Sequence, residues 1–134
     1  MRCRAGGALV EVAEVPLQLW VESAHGDHEK ALGELLSLPA TAEVFTMLVD
    51  EAAAVALSAG APLAKDHRQR VDQTAMRMDI SSSMAEDLAA GRKIELDAFT
   101  GYVIELGLAH GIPTPATRAV HGILVALDNA TAAR

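Results

Sequence analysis

The chain has 134 residues, 51% of them hydrophobic and 22% charged, a mean hydropathy of +0.22 and a formal charge of −7. That is about one domain by the usual range of ~100–200 residues, too apolar for a disordered tail and too acidic for a phosphate-binding nucleic-acid partner. The lone Cys3 excludes an internal disulfide and a cysteine zinc site, and no apolar run reaches the ~18–20 residues that span a bilayer, so the expectation is a soluble, cytoplasmic protein with no membrane partner.

Aromatic residues are limited to Trp20, Phe45, Phe99 and Tyr102. A core filled by Ala, Leu, Val, Ile and Met favours closely packed helices, and the expected fold is an all-α helical bundle preceded by an irregular or extended N-terminal arm. The arm is residues 1–20, in which Ala8 to Val15 partly alternates apolar and acidic residues before Pro16. The helical domain is residues 21–134. Its first segment, Glu22 to Lys30, is polar and weakly patterned and reads as a loop or a poorly formed helix.

A well-marked helix then runs from near Pro39, or from a Thr41 cap, to Ser58, with Gly60 as its stop. Val44, Met47, Leu48, Glu51, Val55 and Ala59 share one mostly apolar face, with Glu51 embedded in it. An amphipathic helix is expected over residues 64–78 and a shorter one over 82–90, ending at Gly91. Another is expected from about Glu95 to His110, ending at Gly111. The last helix starts with Thr114 as N-cap before Pro115 and directs Val120, Ile123, Leu124 and Leu127 inward.

Histidines 25 and 28, beside Asp27 and Glu29, have helical-turn spacing, but a zinc site needs about four ligands and no HExxH motif completes one. A solvated polar loop explains them. His110 suits the last turn of a helix, where a cation opposes the dipole, and His121 reads as a hydrogen-bonded packing residue within an apolar helix. Cys3 has no base to activate it, and Met76, Met78 and Met84 read as adaptable packing. Serines 81 to 83 place hydroxyls and free N–H groups at a helix start, and Glu95 stands after the Gly91 turn. The serine pattern fits a place to hold a carboxylate, the two helix starts can face one pocket, and both patterns fit ordinary capping and first-turn acids.

The run Ser82-Ser83-Met84-x-x-Asp87-Leu88-x-x-Gly91-Arg92-x-x-Glu95-x-Asp97, then Gly101 and Ala109-His110-Gly111-Ile112-Pro113-Thr114-Pro115, resembles the C-terminal helical domain of the 2-dehydropantoate 2-reductases (ketopantoate reductases). The resemblance covers about Pro39 to Leu127 and extends more weakly through the arm to Trp20. It implies NADPH-dependent reduction of 2-dehydropantoate to pantoate in pantothenate biosynthesis, with Ser83 and Glu95 contacting the substrate, a small 2-keto acid. The family's catalytic lysine is replaced here by Glu22, whose negative charge would repel a developing alkoxide. Gly26 and Lys30 stand where the family's asparagines are expected, and Thr117 replaces another asparagine.

No GxGxxG or GxxxxGK[ST] occurs in these residues. The expectation is therefore a substrate-binding and dimerisation half of such a reductase, binding no cofactor by itself and not catalytic alone. It would work as a homodimer or with a separate nucleotide-binding domain. The alternative is a non-catalytic helical self-association or partner-binding domain from a truncated reductase gene.

Overall fold

The computed structural model describes residues 37–63, 65–66, 68–69, 90–93 and 95–133. The N-terminal arm, Glu22, the two middle helices expected over 64–78 and 82–90, and the serine run lie outside, or almost wholly outside, these residues. Three α-helices and one 3-10 turn are fully delimited among the described residues: α1 (Pro39–Ser58), the turn Leu96–Ala98, α2 (Thr100–His110) and α3 (Pro115–Ala132). All three helices pack against one another, and the turn rests on α2 and α3. The all-α expectation holds.

Helix α1 has the expected bounds because its punctuation is local. Pro39 occupies the first turn, where its missing N–H costs nothing, and the Thr41 hydroxyl donates to Leu38 O at 3.1 Å. At the other end Gly60 takes φ +82° and closes a Schellman motif, with Ala61 N donating to Ala56 O at 2.9 Å and Gly60 N to Leu57 O at 3.0 Å. Gly111 repeats the same device after α2 at φ +68°, with Ile112 N on Gly107 O at 2.8 Å and Gly111 N on Leu108 O at 3.3 Å.

The core is built from Phe45, Leu48, Val49, Ala52, Ala53 and Val55 of α1, Leu96 of the turn, Val103 of α2 and Leu124 of α3. The buried face of α1 is thus rotated from the expected one: Leu48 and Val55 are inside, but Met47 is 42% exposed and Phe45, Val49 and Ala52 replace it. Two neighbours, α2 and α3, both cover α1, so a broader stripe than one row is buried. Small residues let these helices approach. A methyl group on Gly107 would lie 2.9 Å from Ile112 O, 3.0 Å from Thr114 Cγ2 and 3.3 Å from Val55 Cγ2.

Two further expectations are corrected. The helix foreseen from Glu95 begins only at Thr100, because Phe99 adopts φ −115°, ψ −90° and interrupts the ladder behind it. The apolar spacing Leu96, Thr100, Val103, Gly107 runs on across this break, so periodicity alone merges the turn with α2. In α3, Leu124 is fully buried, Val120 and Leu127 are half-buried, and Ile123 is 48% exposed. No helix among the described residues is long and apolar enough to cross a membrane.

Candidate functional site

Of the two candidate substrate residues, Ser83 lies outside the described residues and Glu95 is exposed immediately before the 3-10 turn. Glu95 O accepts Ala98 N–H at 3.3 Å, and Leu96 O accepts Phe99 N–H at 3.2 Å. Leu96, only 6% exposed, anchors the turn in the core. A charged side chain therefore projects from a turn whose next residue is buried, an arrangement that limits where the carboxylate can reach. Exposed Arg92 and Lys93 precede it after the Gly91 bend, and exposed Asp97 follows. Both signs of charge are thus available within one short segment.

Behind this turn, Thr100 is fully buried, with Oγ1 2.7 Å from His121 Nδ1 and 3.4 Å from Leu96 O. The packing role expected for His121 is the one observed. Its ring also lines an open cleft of about 430 Å³ between α2 and α3, together with Gly101, Ile104, Glu105, Leu108, Arg118 and Gly122. Glu105 and Arg118 were not singled out from the sequence. Their one sequence signal is helical spacing: 101, 104, 105 and 108 share a face of α2, and 118, 121 and 122 share a face of α3.

The acid on the apolar face of α1 has a different task. Glu51 Oε1 accepts Ala116 N–H at 2.8 Å, while Oε2 accepts Thr117 N–H at 2.8 Å and the Thr117 hydroxyl at 2.6 Å. Thr114 is the N-cap residue of α3 by position, but its side chain makes no capping bond. The carboxylate of another helix supplies the cap, and its charge suits the helix dipole there. Thr117, which stands where the resemblance expects asparagine, is fully buried in this clamp.

Among the described residues no group of three or more His, Cys, Asp or Glu is placed to hold a metal ion. His25, His28, His67 and Cys3 lie outside them. Nor do the described residues fit a dinucleotide such as NADPH, which needs a strand, a glycine-rich turn and a helix to cradle its pyrophosphate; the described elements are helices and one 3-10 turn.

Comparison with known proteins accounts for most of the chain. Residues 28–128 match the family model described as ketopantoate reductase PanE/ApbA C terminal. The chain is 42% identical over 93 residues to a 2-dehydropantoate 2-reductase of Caulobacter vibrioides, covering 68% of this chain and 31% of that protein. It is 35% identical over 106 residues to a 2-dehydropantoate 2-reductase of Vibrio cholerae, covering 75% of this chain and 34% of that protein. The fold matches the crystal structure of a PanE/ApbA family ketopantoate reductase from Ralstonia eutropha with a TM-score of 0.83 at 26% identity, over 95% of this chain and 41% of the other. The chain thus spans about a third of the length of these curated relatives.

Proposed function

Because the chain belongs to the ketopantoate reductase family, to which it corresponds as the C-terminal helical domain, we propose that it supplies the substrate-binding half of a 2-dehydropantoate reductase. The observation that carries the reading is the presentation of Glu95. Its carboxylate stands exposed on a turn anchored by buried Leu96, at the position where the family motif calls for a substrate-contacting glutamate. Ser83 joins it by the same motif. In the full reaction, reduced nicotinamide delivers hydride to the keto carbon. This chain's part is to bind and orient the 2-keto acid beside that cofactor.

On this reading the chain does not turn over by itself. The lysine ammonium that would stabilise and protonate the alkoxide is replaced by Glu22, and a second negative charge there opposes both alkoxide and substrate carboxylate. The test follows nicotinamide fluorescence as NADPH is titrated into the purified chain, then adds 2-dehydropantoate. Neither saturable NADPH binding nor turnover is expected. Micromolar binding with turnover overturns the reading.

A second reading, self-association or capture of a separate nucleotide-binding domain through α2 and α3, is favoured by the apolar surface they present. Leu108 is 67% exposed, Tyr102 57%, Ile123 48% and Val125 37%. Light scattering over a wide concentration range decides self-association: a mass that rises above the monomer supports it, and a constant monomer mass contradicts it.

A further inference from the structure

The bond between Thr100 and His121 joins two helices directly behind the turn that carries Glu95. Thr100 has no exposed surface, and its hydroxyl has one proton and two lone pairs to place. With His121 neutral and protonated at Nε2, the hydroxyl donates to Nδ1 across 2.7 Å. With Nδ1 protonated, the ring donates instead and the hydroxyl proton turns toward Leu96 O at 3.4 Å. In both states His121 fills one of the hydroxyl's hydrogen-bonding positions, and with Nδ1 protonated the bonds run unbroken from imidazole to hydroxyl to Leu96 O, so that the ring orients the hydroxyl on the turn.

The same hydroxyl lies against the carbonyl that receives Phe99 N–H, one residue after the carbonyl of Glu95 that receives Ala98 N–H. Phe99 breaks the helical backbone at this point, so no α-helical ladder holds the turn to α2. Its attachments include buried Leu96 on one side, the Asp97 side chain against Gly101, and Thr100 with His121 on the other. A small rotation of residues 96–99 swings the Glu95 carboxylate at the end of its side chain.

We infer that Thr100 and His121 are positioning residues for Glu95: the hydroxyl–imidazole bond between α2 and α3 fixes the Leu96–Ala98 turn from which Glu95 reaches its ligand. The value of this device to a substrate site rests on the reading of Glu95 given above. Its effect on the turn stands independently of that reading.

The experiment measures amide hydrogen exchange by NMR in the 134-residue chain and in four variants. Thr100→Val keeps the shape and removes the hydroxyl, while Thr100→Ser restores it. His121→Leu removes the acceptor, while His121→Asn places an amide oxygen near the position of Nδ1. Thr100→Val and His121→Leu are expected to speed exchange at Ala98 and Phe99 by about tenfold, and the conservative pair to stay within about threefold of the parent. Pantoate titrations of the same proteins are expected to show weaker binding for the first pair only.

Unchanged exchange at Ala98 and Phe99 in Thr100→Val overturns the inference. So does acceleration spread evenly over all three helices, which reports global destabilisation. If the parent chain binds no pantoate, the functional reading fails, and the exchange rates still decide whether this pair holds the turn.

Discussion

Glu51 and Thr117 stand 66 residues apart in the chain and meet through two hydrogen bonds: one carboxylate oxygen, Oε2, accepts both the backbone N–H and the hydroxyl of Thr117. With Ala116 N–H on the other oxygen, the clamp satisfies two of the N–H groups that a helix start leaves unpaired. It fastens α1 to the beginning of α3 and so fixes the helix that bears His121. Replacing Glu51 by Ala is expected to destabilise the fold by about 2–4 kcal/mol, since it removes a charge-assisted cap and takes the acceptor from three donors, two backbone N–H groups and the Thr117 hydroxyl. Glu51→Gln retains one acceptor and turns an NH₂ toward a donor, so it should lie between the parent and Glu51→Ala. Urea unfolding monitored by far-UV circular dichroism measures both, and equal stability of parent and Glu51→Ala contradicts the clamp.

Three glycines should respond differently to the same methyl group. At Gly107 the added carbon would press on backbone at 2.9 Å, and displacing the α2–α3 connection should cost about 1–3 kcal/mol. At Gly111, φ +68° disfavours any L side chain, and about 1 kcal/mol is expected to be lost. Gly122 is exposed within α3, with nothing within 4 Å of an added Cβ. Gly122→Ala should therefore stabilise by about 0.5–1 kcal/mol through helix propensity. Thermal melts of the three variants give the order directly.

Adjacent residues of α3 test which face is inside. Leu124 has no exposed surface, so Leu124→Ala should lose about 2–4 kcal/mol. Ile123, 48% exposed, should lose less than about 1 kcal/mol on the same truncation. Similar losses at both positions would show that α3 is rotated from the face described.

Local chemistry made much of this legible in the sequence. Pro39 and Gly60 bracket α1, Pro115 starts α3 and Gly111 stops α2, because each residue's backbone preference acts where it stands. What escaped depends on partners distant along the chain. An acid on an apolar face announces that it needs a donor, but nothing local says that Glu51 will cap α3 in place of Thr114. The break at Phe99 escaped because apolar spacing is continuous through it. Ile123 and Met47 escaped because a periodic stripe gives the helix a face without giving its exact rotation against two neighbours. Glu95 was found through its place in a family motif, whereas the Thr100–His121 bond behind it joins residues 21 apart that carry no motif of their own.

On the proposed reading Glu95 accepts a hydroxyl of a small hydroxy acid, the group that a carboxylate can hold without repulsion. Isothermal titration of pantoate into the 134-residue chain, and into Glu95→Gln, tests it most directly. Saturable binding with a dissociation constant below about 1 mM is expected in the parent, weakened about tenfold or more in a folded Glu95→Gln. A folded parent chain that gives no binding heat, or a Glu95→Gln variant that binds as well as the parent, contradicts it.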